Sequence, residues 1–215
     1  GHVTSAYDIA LMSRELIAHH PDIRRYTTIW MDTLRGGTSS LVNTNKLIRF
    51  YDGATGLKTG STSTAGYCLS ATAERDGMEL IAVILKGTTS AQRFEDAKAL
   101  LSYGFSQYAL VHVTPEELLP PVPVRLGVQS RVQPVLTGDN ALLVEKAQRA
   151  ELTQTLLLED SADAPVLQGD RLGTLRVEHN GTVVAELPIL AGESVARIRW
   201  GQMLLRLMRT ALLAA

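Results

Sequence analysis

The sequence predicts an α+β fold: an antiparallel sheet with helices, then a small all-β domain and a C-terminal amphipathic helix. Three observations predict it. Helical patterns at 4–20 and from Thr88 to about Tyr103 flank strand patterns at 66–73 and 80–85. From 106 to 190 the chain breaks into short β patterns separated by turn residues, which indicates a sandwich. In the last segment the helical period returns, and no acidic residue follows Glu193. The expected domains are 1–105, 106–190 and 191–215.

In the first helix Ser5 and Asp8 have capping-box spacing, and Ile9, Met12, Leu16 and Ile17 make one apolar stripe ending before Pro21. A short turn of helix is expected at Asp22–Tyr26, and strand and loop over 33–53. In the first strand of a hairpin Tyr67, Leu69 and Ala71 share a face, and Arg75-Asp76-Gly77 is the turn. The run Leu80–Leu85, "LIAVIL", reads as a central strand covered on both faces. Thr88, Thr89 and Ser90 offer caps for the next helix, with Phe94, Ala97, Leu100 and Leu101 inward and Gly104 as its stop. In the β-rich part, turns are expected at Gly138-Asp139-Asn140 and Asn180-Gly181, and Pro115–Pro123 is a stiff loop. In the tail Trp200, Met203, Leu204, Leu207, Met208 and Ala211 share one face, with Arg199, Gln202, Arg206 and Arg209 opposite. Such a helix suits the plane of an anionic membrane; packing on a partner chain or on the β-domain is the other reading.

Composition excludes several function classes. The 215 residues are 45% hydrophobic with a net charge of -1, which suits one or two globular domains and gives no nucleic-acid footprint. The single cysteine, Cys68, allows no internal disulfide and is expected as a buried thiol within a strand. His2, His19, His20, His112 and His179 show no metal-ligand spacing, no phosphate loop or dinucleotide fingerprint occurs, and neither metal nor cofactor is expected. The N-terminus lacks the basic start and apolar run of a signal peptide, and no segment reaches the ~20 apolar residues of a spanning helix.

The stretch that points to chemistry is Gly56–Thr62, "GLKTGST". Lys58 would set a positive charge at a cleft edge, and Gly60, lacking a Cβ, would let a ligand approach the backbone. Thr59 and Thr62 are expected to turn their hydroxyls to one side of a strand that pairs with an extended peptide. A solvated lysine on a surface strand is the plainer alternative.

The longer segment "GLKTGSTSTAGYCLSATAERDGMELIAVILKG", with "TSAYDIALMSREL" and "LVNTNKLIRFYDGATGLKTG" before it and "AQRFEDAKALLSYGF" after it, resembles the serine D-alanyl-D-alanine carboxypeptidases, the low-molecular-weight penicillin-binding proteins. The resemblance is dense over the first half of the chain and follows the family's layout beyond it. It implies a transpeptidase-like sheet in which Lys58, Thr59 and Gly60 form the catalytic box, with Lys58 catalytic. Thr59 and Thr62 would bind stem peptide or β-lactam, and the Ser61 N–H would donate to the oxyanion. Arg93 would recognise the substrate's terminal carboxylate, directly or through Thr59.

The family's nucleophile, in Ser-x-x-Lys, is missing. Residues three before Lys46, Lys58, Lys86, Lys98 and Lys146 are Asn43, Thr55, Val83, Glu95 and Leu143, none a serine. No Ser-x-Asn element is in its expected place either. The expectation is therefore a C-terminal portion of a bacterial envelope carboxypeptidase, extracytoplasmic and held peripherally on the cytoplasmic membrane. It would act only with an N-terminal portion of the same protein carrying the serine, and without it would fold poorly. A non-catalytic peptidoglycan- or protein-binding envelope module is the alternative, and a β-lactamase a third reading that the extra β-domain and tail argue against.

Overall fold

The computed structural model describes residues 3–115 and 118–213. His2, Glu116, Glu117 and the side chains of Leu207, Arg209 and Ala211 lie outside the described residues. The chain divides into two compact units, 1–110 and 111–215.

In the first unit α1 (Ala6–His19) begins with the expected capping box: the Asp8 N–H donates to Ser5 Oγ at 3.1 Å and the Ser5 N–H to Asp8 Oδ2 at 3.0 Å. A short 3-10 turn leads into α2 (Arg24–Thr27), a hairpin of β1 (Met31–Leu34) and β2 (Ser39–Val42), and α3 (Leu47–Phe50). Then β3 (Ala54–Thr62), β4 (Gly66–Arg75) and β5 (Met78–Gly87) form an antiparallel sheet in that order. Asp76 and Gly77 close the β4–β5 hairpin, both with positive φ, which is what a two-residue turn of this hand requires.

Strand alternation sorts the two faces of the sheet. Leu69, Ala71 and Ala73 of β4 and Ala82 of β5 meet Phe94, Ala97 and Leu101 of α4 (Ser90–Gln107) and Leu47 of α3 in one buried cluster. On the other face α1 packs on β4 and β5, with Ser13 and Ile17 as its buried positions. Of the expected stripe, Met12 is exposed, because Ile9, Met12 and Leu16 border an open cavity.

Two expectations are corrected. The apolar run of β5 lies at an edge of this three-stranded sheet, not at its centre. Helices cover both its faces, which is what a continuous apolar run reports; the pattern says nothing about pairing partners. Gly104 does not stop α4, which continues to Gln107. A Cβ at residue 104 would stand 2.5 Å from Leu80 Cδ1, so the glycine serves the close approach of helix to strand. The N-cap is Thr89, whose Oγ1 accepts from the Gln92 N–H at 3.0 Å.

Strand β6 (Tyr108–His112) leads into the second unit. There β7 (Val122–Arg125), β8 (Arg131–Val132), β9 (Pro134–Leu136), β10 (Ala141–Glu145), β11 (Leu152–Leu158), β12 (Ala162–Asp163), β13 (Arg171–His179) and β14 (Thr182–Ala191) follow. They build a four-stranded sheet, β11-β13-β14-β9, and a three-stranded one, β12-β7-β8. One apolar cluster centres on Val122, Val132, Leu172 and Val195, another on Leu175, Val177 and Ile189. Asn180 and Gly181, both with positive φ, make the expected β13–β14 turn. Residues Trp200–Leu213 form α5. No helix of the described residues is long and apolar enough to cross a membrane. The α+β reading holds as a mixture of helix and sheet.

Candidate active site

Strand β3 pairs with β4 along one edge, and the register sets Lys58 opposite Ser70 and Gly60 opposite Cys68. Directly opposed residues share a face, so Lys58, Gly60, Cys68 and Ser70 all turn toward the α1 side. There Ser70 Oγ and Ser13 Oγ lie 2.7 Å apart, joining the sheet to the helix. Between them opens a cavity of about 500 Å³, walled by Ile9, Met12 and Leu16 of α1, Leu57, Lys58 and Gly60 of β3, and Leu85 of β5. Its wall is mainly aliphatic, and Lys58 stands exposed at its rim with Nζ donating to the Thr59 carbonyl.

The structure separates the two threonines. Thr59 is 8% exposed, opposes Leu69 and bonds Thr44 Oγ1 at 2.7 Å. Thr62 is exposed, and its Oγ1 accepts from the Ala65 N–H at 2.9 Å in the turn to β4. The expectation that both hydroxyls share one side fails on the two-residue repeat of a strand: Lys58, Gly60 and Thr62 fall on one face, Thr59 and Ser61 on the other. Ser61 is exposed.

Arg93, on the first turn of α4, is 7% exposed. Its Nη1 donates to the carbonyls of Gly60 and Cys68, each at 3.1 Å, and Nη2 to Ser90 Oγ at 3.4 Å. The guanidinium carbon lies 4.8 Å from the Phe94 ring centre and 5.5 Å from that of Tyr67. The side chain thus grips the backbone of the Lys58 strand from beneath, directly at Gly60.

Cys68 is half-buried in the cavity wall, not enclosed in a core as expected, because it sits on the α1 face of β4. Thr55, the nearest imitation of a serine three before a lysine, donates its hydroxyl within a group formed with Thr72 and Glu79. Among the described residues no group of three or more His, Cys, Asp or Glu is placed to hold a metal ion. Sequence reasoning missed Thr44 and Asn45, which contact β3 from outside the sheet, and Asn43, which braces Asn45. The nearest signal was asparagine just before a helix, a capping residue type.

An edge strand carrying Lys-Thr-Gly, held by an arginine on a helix later in the same unit and followed along the chain by a β-rich unit, marks the chain as a piece of a penicillin-binding protein. Residues 1–89 match the family profile described as D-alanyl-D-alanine carboxypeptidase, and 116–197 that described as penicillin-binding protein 5, C-terminal domain. The chain belongs to the low-molecular-weight penicillin-binding proteins of the D-alanyl-D-alanine carboxypeptidase family. It is 34% identical over 202 residues to the D-alanyl-D-alanine carboxypeptidase DacF of Bacillus subtilis, covering 92% of this chain and 52% of that protein. Identity to DacC of Escherichia coli is 28%, over 91% of this chain and 49% of that one. The chain therefore spans about half the length of these relatives. Penicillin-binding protein 5 of Haemophilus influenzae shares the fold, with a TM-score of 0.71 at 24% identity over 90% of this chain and 57% of that one.

Proposed function

We propose that this chain carries the lysine-bearing wall of a serine D-alanyl-D-alanine carboxypeptidase. The enzyme removes the terminal D-alanine from peptidoglycan stem peptides, using a serine outside these 215 residues. The observation that supports it most is Lys58 and Gly60 of an edge strand facing an aliphatic cavity in a chain of this family. An extended stem peptide adds to the open edge of β3. Lys58 holds the serine hydroxyl in place, and the Ser61 N–H donates to the oxyanion, a contact worth about 3 kcal/mol. Thr62 binds the terminal carboxylate; Thr59 and Arg93 act through the strand. The serine oxygen bonds to the carbonyl carbon, the proton passes to the departing D-alanine amine, and water then cleaves the ester. A β-lactam acylates the same serine.

The N-terminal portion of the same protein fills the cavity beside α1, since an aliphatic recess of that size on a sheet face calls for apolar cover. The β-domain and α5 hold the enzyme on the outer face of the cytoplasmic membrane, with Trp200, Met203, Leu204 and Met208 toward lipid. These four side chains are all exposed. Flotation of the second unit's full-length parent with anionic vesicles, with and without residues 200–215, tests the tail.

Labelled penicillin added to the gene's full-length product tests the main proposal: a covalent adduct on a serine upstream of Gly1 is expected. No adduct, with an upstream sequence lacking Ser-x-x-Lys, favours the second reading, a peptidoglycan- or protein-binding module; the absence of that motif from this sequence is what keeps it in view.

A further inference from the structure

We propose that Asn43, Thr44 and Asn45 form a clamp that sets the position of Lys58, with Thr44 a positioning residue acting through Thr59; this rests on reading β3 as the active-site strand. An edge strand is tied by ladder bonds on one side only, so its other side is where it slips or frays. Two consecutive side chains, Thr44 and Asn45, bond β3 apart from its ladder, and Asn43 braces the segment that carries them. Asn43 Nδ2 donates to the carbonyls of Thr27 at 3.1 Å and Ile29 at 2.9 Å, fixing the segment to the end of α2. Its Oδ1 accepts from the Asn45 N–H at 2.9 Å.

Asn45, 2% exposed, donates from Nδ2 to the Gly56 carbonyl at 2.7 Å, and its Oδ1 accepts from the Leu47 N–H at 3.2 Å at the start of α3. Thr27 Oγ1 adds a bond to the Thr55 carbonyl at 2.6 Å. The strand is thereby held at 55 and 56, ahead of Lys58. Thr44 then reaches past this anchor to the Thr59 hydroxyl at 2.7 Å, the residue after the lysine.

The two contacts divide the work. Asn45 is buried and serves two elements, so it belongs to the fold. Thr44 is exposed and touches Thr59 by its hydroxyl, while the anchor at 55 and 56 holds without it. Losing that hydroxyl leaves the 8%-exposed Thr59 to find another partner, and its rotation or a strand shift moves Lys58 next to it.

The test uses the full-length gene product with Thr44→Val and Thr44→Ser, measuring the rate of acylation by labelled penicillin, kcat and KM on a D-Ala-D-Ala peptide, and thermal unfolding. Thr44→Val is expected to slow acylation on the order of tenfold through misplacement of the lysine, with kcat lowered, KM little changed and the melting point nearly unmoved. Thr44→Ser is expected to recover the wild-type rate. Equal acylation by wild type and Thr44→Val, or a loss matched by the fraction of unfolded protein, overturns the proposal. Should the wild type take no penicillin, the active-site reading of β3 falls by itself. Amide exchange at Leu57–Gly60 then decides the clamp: faster exchange in Thr44→Val than in Thr44→Ser supports it, and equal exchange overturns it.

Discussion

Replacing Gly60 by valine separates what the fold requires from what a ligand requires. A Cβ added at Gly60 meets no heavy atom within 4 Å, and Gly60 is not among the glycines with positive φ. The folded chain therefore accepts the side chain without clash or backbone strain. Valine suits a strand better than glycine, so stability is expected to stay level or rise by up to about 1 kcal/mol. The new side chain points to the face shared by Lys58 and Ser70, where the proposed ligand must approach the backbone. Overpacking a fitted contact costs about 1–3 kcal/mol. At roughly 1.4 kcal/mol per tenfold, acylation should slow about five- to a hundred-and-fortyfold. Urea unfolding and the rate of acylation by labelled penicillin, both on the full-length product, read the two effects. Wild-type acylation by Gly60→Val would show that no ligand approaches this face. A stability loss beyond about 2 kcal/mol would show instead that the open space at Gly60 belongs to the folded core of the complete protein.

Arg93→Met should destabilise by about 2 kcal/mol in urea unfolding, because two strand carbonyls lose their shared donor; Arg93→Lys recovers only part, since an ammonium lacks the guanidinium's fork. Leu101→Ala, at a position 1% exposed between α4 and the sheet, should cost about 2–5 kcal/mol by the same assay. The Asp8 carboxyl is held below its ordinary value of 3.8 by the Ser5 hydroxyl and then by the Ser5 N–H. The folded state thus binds that proton less readily than the unfolded state. The cap's contribution is fully present above 3.8 and is lost as pH falls through the lower folded value. Asp8→Asn should remove this dependence, seen as a flatter curve of melting point against pH over the acid range.

What the sequence made readable was local. Asp76-Gly77 and Asn180-Gly181 announce hairpins because their turns need positive φ at both residues, and Ser5 with Asp8 announces a cap because both partners lie within one turn. What escaped it was non-local. Gly104 has the look of a helix stop, but its use is contact with Leu80, a residue 24 positions earlier on β5. The run of β5 reports covered faces and is silent about an unpaired edge. Asn45 accepts locally from the Leu47 N–H at the start of α3, yet nothing local announces its bond to Gly56.

The candidate site shows the same division within a single strand. Resemblance grouped Thr59, Thr62 and Arg93 as ligand-binding residues, while the two-residue repeat splits the two threonines by face and Arg93 reaches the strand from α4. Lys58, Gly60 and Thr62 point to the open side. Thr59 is turned inward to Thr44, and Arg93 is spent on the carbonyl of Gly60. In the proposed reading the buried hydroxyl and the buried guanidinium fix the height and tilt of Lys58, Gly60 and Thr62. Substitutions on the inward set should therefore change how well the outward set is aimed. Because Thr44 and Arg93 grip adjacent residues of β3 from different elements, Thr44→Val and Arg93→Met combined should slow acylation by a factor that departs from the product of the single effects. Independent effects would mean that the two contacts hold separate parts of the strand.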